Sequence, residues 1–146
     1  MNLIQILLAL VMSLLQRSNE EIILHCTATP YNMTVTVKDV DRWHKEMGWD
    51  GVGYHFLILQ DGTLQVGRNL NIAGAHCKGH NKTSIGIAYV GGIDTMGNSA
   101  DTRTEQQRAT MRTLINVLKK IYPGIKVTTH NKYTNKDCPC FKIENL

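Results

Sequence analysis

The sequence predicts an α/β domain, a mixed β-sheet flanked by helices, on three observations. Short β-rich apolar runs alternate with two amphipathic stretches of helical period. Each of those stretches opens with a capping-box pair, Thr36 with Asp39 and Thr104 with Gln107. Between them, Asp61-Gly62 divides an alternating run in the way a hairpin turn does.

The elements follow in order. EEIILHCTAT is apolar and β-rich before it turns polar, so it reads as a buried strand carrying His25 at its C-terminal end. In TVKDVDRWHKEMG, Val40, Trp43 and Met47 recur at helical spacing and Gly48 stops the run, which predicts a helix over residues 37–47. GYHFLILQDGTLQVGR alternates on both sides of Asp61-Gly62 and predicts two paired strands. By that alternation Tyr54 and His55 should point to opposite faces, as should His25 and Cys26. SIGIAYVGG, residues 84–92, is an apolar strand with small residues where close packing or a tight exit is needed. TEQQRATMRTLINVLKKIYPG predicts a long helix that carries Leu114, Ile115, Val117, Leu118 and Ile121 and ends at Pro123-Gly124. It should cover one face of the sheet. IKVTTH returns as a strand that ends in a second histidine, His130. Strand, helix, hairpin, strand, helix, strand is the order of an α/β or α+β domain with a mixed sheet.

A chain of 146 residues suits one domain, large enough to bury ~68% of its unfolded surface in a single core. Hydrophobic content of 42% and charged content of 19%, with no repeat or low-complexity tract, exclude a disordered chain. The net charge of +4 favours an anionic partner. Its lysines and arginines are spread along the chain instead of forming a stripe, which speaks against nucleic acid and leaves a weak pointer to bacterial envelope polymers.

Cys26, Cys77, Cys138 and Cys140 are too few for a disulfide scaffold in a chain that can build its own core, and Cys138 and Cys140 are too close for an easy bridge. A C-x-C pair with no second C-x-x-C or H-x-x-x-H also fails structural-zinc spacing. Residues 1–18 form an apolar N-terminal segment set apart from a domain over 19–146. Its run from Leu3 to Leu15 has the length of an export signal's apolar core but lacks a preceding Lys or Arg and a following small-x-small site. Export, membrane contact through residues 3–15, a helix packed on the domain and an early start codon all stay open.

Two strands thus each deliver a histidine at their C-terminal end, and Cys138 follows His130 by eight residues. Two histidines and a cysteine are suitable zinc donors, and three protein ligands leave the fourth tetrahedral position for water, as catalytic sites do. On spacing alone, each histidine reads equally as a core or surface residue and Cys138 as a buried apolar side chain.

LHCTAT, RWHKEMGW, GYHFLILQDGTLQVGR, GAHCKGHNKTSIGIAYVGGID and KDCPCF, read in this order, resemble the zinc-dependent N-acetylmuramoyl-L-alanine amidases, in the branch of small phage lysozymes related to peptidoglycan recognition proteins. The resemblance runs from residue 21 to about 143. It implies a mixed sheet flanked by helices with a peptidoglycan groove crossing a Zn2+ ion. It implies His25, His130 and Cys138 as metal ligands, Tyr54 and Lys136 as catalytic residues, and His76 as a groove-lining residue that bonds the peptide stem or serves as a turn histidine. His44 reads as structural, and neither His55 nor Cys26 as a ligand. One position departs from the family pattern: Lys132 stands where an acidic residue often follows the ligand histidine, so an outer carboxylate is missing. The implied activity is cleavage of the amide between N-acetylmuramic acid and L-alanine by a monomer that is exported or released as a phage-type lysin. A non-catalytic peptidoglycan-binding module is the alternative, and the retained Cys138 argues for the enzyme.

Overall fold

Residues 2–8 and 17–146 are described by a computed structural model of the chain. The elements run β1 (Glu21–Cys26), β2 (Thr29–Pro30), α1 (Val37–Glu46), β3 (Phe56–Ile58), β4 (Leu64–Val66), β5 (Ser84–Tyr89), β6 (Gly92–Ile93), α2 (Glu105–Ile121) and β7 (Lys126–Thr129). Five strands form one sheet in the order β4-β3-β5-β1-β7, and β2 pairs with β6 in a separate two-stranded sheet. β1 lies parallel to β5 and β7, β3 lies parallel to β5, and the β3–β4 hairpin is antiparallel. The sheet is mixed, as expected.

Local chemistry sets the helix starts. Thr36 donates its N–H and its hydroxyl to Asp39 Oδ2, each at 2.9 Å. At α2, Gln107 N–H donates to Thr104 Oγ1 at 3.1 Å and Thr104 N–H to Gln107 Oε1 at 3.0 Å, a reciprocal capping box. Gln107 is completely buried, and its Nε2 also donates to the carbonyls of Ile58 and Val90, so the start of α2 is tied to the ends of β3 and β5. The hairpin turns at Gly62, whose φ of +85° needs a residue without Cβ strain.

The period of two along each strand divides the sheet into two faces. Ile22, Leu24 and Cys26 of β1, Phe56 and Ile58 of β3, and Ile85, Ile87 and Tyr89 of β5 form one core with Met111, Leu114, Ile115 and Leu118 of α2. Leu57 and Ala88 form a smaller one on the other face with Val35, Val40, Val52 and Val90.

Several boundaries differ from the sequence reading. Met47 lies beyond α1 and is 59% exposed, so Val40 alone is the fully buried apolar residue of that helix. Val117 and Ile121 are exposed because the buried stripe of α2 follows Met111, Leu114, Ile115 and Leu118. β3 starts at Phe56, leaving Tyr54 and His55 outside any strand. β2 and β6, two residues each, had no periodic signal to announce them.

Arg17 joins the domain. Its guanidinium donates to the carbonyls of Leu70, Asn81, Lys82 and Ser84 at 2.9 to 3.2 Å. Residues 3–8 are helical, with Leu3, Ile4, Leu7 and Leu8 exposed. The rest of the apolar run, residues 9–16, lies outside the described residues. Among the described residues no helix is long and apolar enough to cross a membrane.

Candidate metal centre and active site

Parallel register brings the two strand-end histidines together. Leu24 of β1 pairs with Thr129, the last residue of β7, so the residues that follow, His25 in β1 and His130 just beyond β7, stand side by side with ring centroids 4.4 Å apart. His130 itself opens a one-turn 3-10 helix. Cys138 arrives from the loop beyond. Cys26 N–H donates to its Sγ at 3.2 Å, and Tyr89 O–H donates to the neighbouring Pro139 carbonyl at 2.8 Å. Downstream, Phe141 is buried under the Arg103 guanidinium, 3.4 Å above its ring. One donor atom each from His25, His130 and Cys138 lies within 4.8 Å of the others.

All three donors are shifted toward their ligating forms. His25 titrates well below the ordinary histidine value, first because it is buried and then because His76, His130 and Lys136 lie nearby. His130 is lowered by burial and by Lys136. The Cys138 thiol is lowered, first by the Cys26 side chain, while the Cys26 thiol is raised to about 12. Neutral imidazoles and a thiolate are the states a divalent cation needs. The buried Nδ1 of His130 has no hydrogen-bond partner among the described residues, a state costly for a polar atom unless an ion takes it. The residues present therefore fit a zinc ion: two imidazoles, one sulfur and an open side.

Around the three donors is a cavity of about 240 Å³, lined among others by His44, Trp49, Tyr54, His76 and Lys136. The Tyr54 ring centroid is 5.2 Å from that of His25. Burial, followed by the neighbouring Cys138 and Cys26, raises the Tyr54 phenol far above its ordinary value, so it keeps its proton. Lys136 is exposed and also borders two neighbouring cavities of about 610 and 440 Å³.

His76 lines the cavity while most of its ring is packed inside the protein. It is buried, its Nδ1 is 2.8 Å from His25 Nε2, and its Nε2 is 3.3 Å from Ser84 Oγ. Burial, then His55 and His130, push it down to about 3. His25 thus takes its outer contact from His76, while Lys132 stands 5.6 Å over the Tyr133 ring.

His55 is where strand alternation fails. Both Tyr54 and His55 lie before β3 begins at Phe56, and both face the histidine cluster, with the His55 ring centroid 5.9 Å from that of His76. His55 accepts from Gly86 N–H through Nδ1 and so donates from Nε2 to the Ile72 carbonyl, which makes it a neutral structural histidine. Cys26 does alternate with His25. Its sulfur sits on the α2 side, 3.8 Å from that of Cys140, and takes no part in the donor cluster.

Two cavity residues escaped the sequence reading, His44 and Trp49. His44 Nδ1 accepts from Gly53 N–H at 2.9 Å, and its ring lies 4.6 Å from Trp49 and 5.5 Å from Tyr54. The helical spacing of RWHKEMGW places His44 one residue from the inward Trp43, a signal that points to the helix interior instead of to a cavity at its end.

Residues 16–141 match the family described as N-acetylmuramoyl-L-alanine amidase. The endolysin of Enterobacteria phage K11 is 40% identical over 129 residues, 88% of this chain and 85% of that protein. Among solved structures, the N-acetylmuramoyl-L-alanine amidase LysC from Clostridium intestinale URNW superposes with a TM-score of 0.77 at 30% identity, covering 90% of this chain and 84% of that one. A mutant of Drosophila PGRP-LB in complex with tracheal cytotoxin gives 0.72 at 28% identity, covering 85% and 76%. With most of its length matched, its sheet and helices superposing on theirs and a donor cluster fit for a metal, the chain belongs to the N-acetylmuramoyl-L-alanine amidase family and is an enzyme of that class.

Proposed function

We propose that the chain is a zinc-dependent peptidoglycan amidase, which cleaves the bond between the lactyl group of N-acetylmuramic acid and L-alanine. The observation that carries this reading is the convergence of His25, His130 and Cys138 within 4.8 Å at one side of the 240 Å³ cavity. These three residues would hold the ion. Bound there, zinc supplies Lewis acidity, polarising an amide carbonyl and acidifying water toward a pKa of ~7.

The remaining work falls to side chains of this chain. Tyr54, fixed in its protonated form beside His25, is a hydrogen-bond donor and not a general base, so it orients the attacking water or the substrate oxygen. Lys136 brings a positive charge to the cavity edge, where the carbonyl oxygen becomes anionic in the transition state. His76 serves the site by holding His25, since both of its ring nitrogens already have partners within the protein. The substrate is the glycan-linked stem peptide of peptidoglycan, and one copy of the chain carries a complete site. The exposed apolar residues 3–8 suit contact with a membrane.

The test is digestion of purified peptidoglycan by enzyme as prepared, after chelation and after zinc is returned. The reading expects new L-alanine N-termini, their loss on chelation and their recovery with zinc. Cleavage that persists in metal-free enzyme, or glycan release without new L-alanine termini, would overturn it.

A further inference from the structure

Ser84 opens β5 and is completely buried beneath the histidine cluster. Its Oγ lies 2.7 Å from the His80 carbonyl oxygen and 3.3 Å from His76 Nε2. A carbonyl can only accept, so the single hydroxyl proton of Ser84 goes to His80. Ser84 Oγ then has only lone pairs to offer, and His76 must donate to it from Nε2. With its proton on Nε2, a neutral His76 presents Nδ1 as an acceptor. The atom 2.8 Å away is His25 Nε2, which must therefore be the donor. One proton remains for each neutral ring, so His25 Nδ1 is left with a free lone pair. That nitrogen is the one 3.8 Å from Cys138 Sγ.

The fold is shaped to hold this chain of bonds. The His76 ring lies between Gly74 and Gly86, and a Cβ at either position would come within 2.4 Å or 2.7 Å of its ring carbons. Any larger residue in GAH or SIGIA would displace the imidazole. The glycine of β5 thus makes room for His76, and the serine two residues before it sets the proton of that ring.

We propose that Ser84 and His76 are positioning residues whose relay selects Nδ1 of His25 as the nitrogen that meets the metal. Which nitrogen bears the proton follows from the hydrogen bonds of two neutral rings, and the use made of Nδ1 rests on the zinc-amidase reading. The opposite arrangement, with Nδ1–H on His25, would place a proton between the ring and Cys138 and would require Ser84 to abandon the His80 carbonyl. Outer partners of metal-bound histidines typically matter ~10 to 100-fold in metal affinity.

Nitrogen-15 NMR of the metal-free full chain tests the relay directly. His25 and His76 should both show the Nε2–H tautomer, and zinc titration should move the His25 Nδ1 resonance. An Nδ1–H tautomer on either ring, or zinc entering through His25 Nε2, overturns the proposal. Ser84→Ala should mix the tautomers of His76 and weaken zinc, read by chelator competition, about 10 to 100-fold with the amide spectrum of the fold retained. Ser84→Thr, which keeps the hydroxyl, should restore most of that affinity. Wild-type tautomers and zinc affinity in a folded Ser84→Ala protein would remove Ser84 from the relay. Should the wild type show both expected tautomers and yet cleave no peptidoglycan, the amidase reading fails and the relay stands.

Discussion

On the α2 side of the sheet, β1 and β5 present Ile22, Leu24, Ile85 and Ile87, while the alternate residues on the other side are His25, Ser84, Gly86 and Ala88. The first face is closed over by a 17-residue helix, the second only in part by a helix of 10. One set of hydrogen-bonded strands therefore carries a dry core and a polar cluster back to back. Small residues on β5 leave the space that the imidazoles of His25 and His76 fill, and the large residues between them anchor the strand that holds those imidazoles in place. Rigidity is supplied by one face and chemistry by the other, so substitutions on the two faces should fail in different ways.

The largest effect should come from the donors. Cys138→Ala should lose both zinc and amide cleavage, whereas Cys140→Ala, two residues along with its sulfur 3.8 Å from that of Cys26 and outside the donor cluster, and Cys77→Ala should keep both. Metal analysis beside a peptidoglycan digest separates them, and a Cys138→Ala protein with full zinc content would break the assignment. Next come Lys136→Ala and Tyr54→Phe. Removing one donor to a developing oxyanion typically costs ~100 to 1000-fold in turnover, ~2.7 to 4 kcal/mol, with little effect on ground-state binding. Both variants should retain zinc and still sediment with insoluble peptidoglycan. Cleavage within a few-fold of wild type would remove the residue from the catalytic set.

Across the sheet the expected failure is the reverse. Ile115→Ala in α2 leaves a cavity against the strands and should cost ~2 to 5 kcal/mol of stability, while the folded fraction retains wild-type turnover. Acid provides a second contrast, through the buried imidazoles. His55 is pushed down to about 4, chiefly by burial, so it stays neutral in the fold at a pH where the unfolded chain has already taken a proton. Its contribution is fully present above about 6.5 and is lost as the pH falls toward 4, a change of roughly 3 kcal/mol. Denaturant midpoints measured between those limits should fall steadily, and should fall less in His55→Gln if that variant remains folded.

What the sequence made legible follows the range of the interactions involved. Thr36 with Asp39 and Thr104 with Gln107 are contacts three residues apart, and both were readable from spacing. His25 and His130 were readable as strand ends, but their meeting depends on the Leu24 to Thr129 register, which no local pattern states. The family resemblance, not the spacing, singled out Cys138. Tyr54 and His55 were misassigned to opposite faces because alternation was carried two residues before β3 begins. Ser84 gave no signal at all, since a serine opening an apolar strand looks like an ordinary boundary residue until the His76 ring is found against it.

The smallest effects should lie at the N-terminus, where they sharpen the comparison by asking what the polar face leans on. Arg17 binds four carbonyls, three of them in the stretch from Asn81 to Ser84 that leads into β5, and its Nη2 stands 3.1 Å from His55 Nε2. Both of those nitrogens are donors here, so Arg17 acts on the carbonyls and merely abuts His55. Hydrogen bonds from a charged donor contribute up to about 1.5 to 3 kcal/mol, less where the group is partly exposed as Arg17 is. A chain beginning at Arg17 should therefore melt and cleave much like the full chain, because the exposed residues 3–8 contribute little to the core. A chain beginning at Asn19 should be less stable by ~1 to 3 kcal/mol, and Arg17→Ala in the full chain should reproduce that loss. Equal melting temperatures for the two truncations would show that the β5 end of the polar face holds its position without Arg17, and the domain would then start at Asn19.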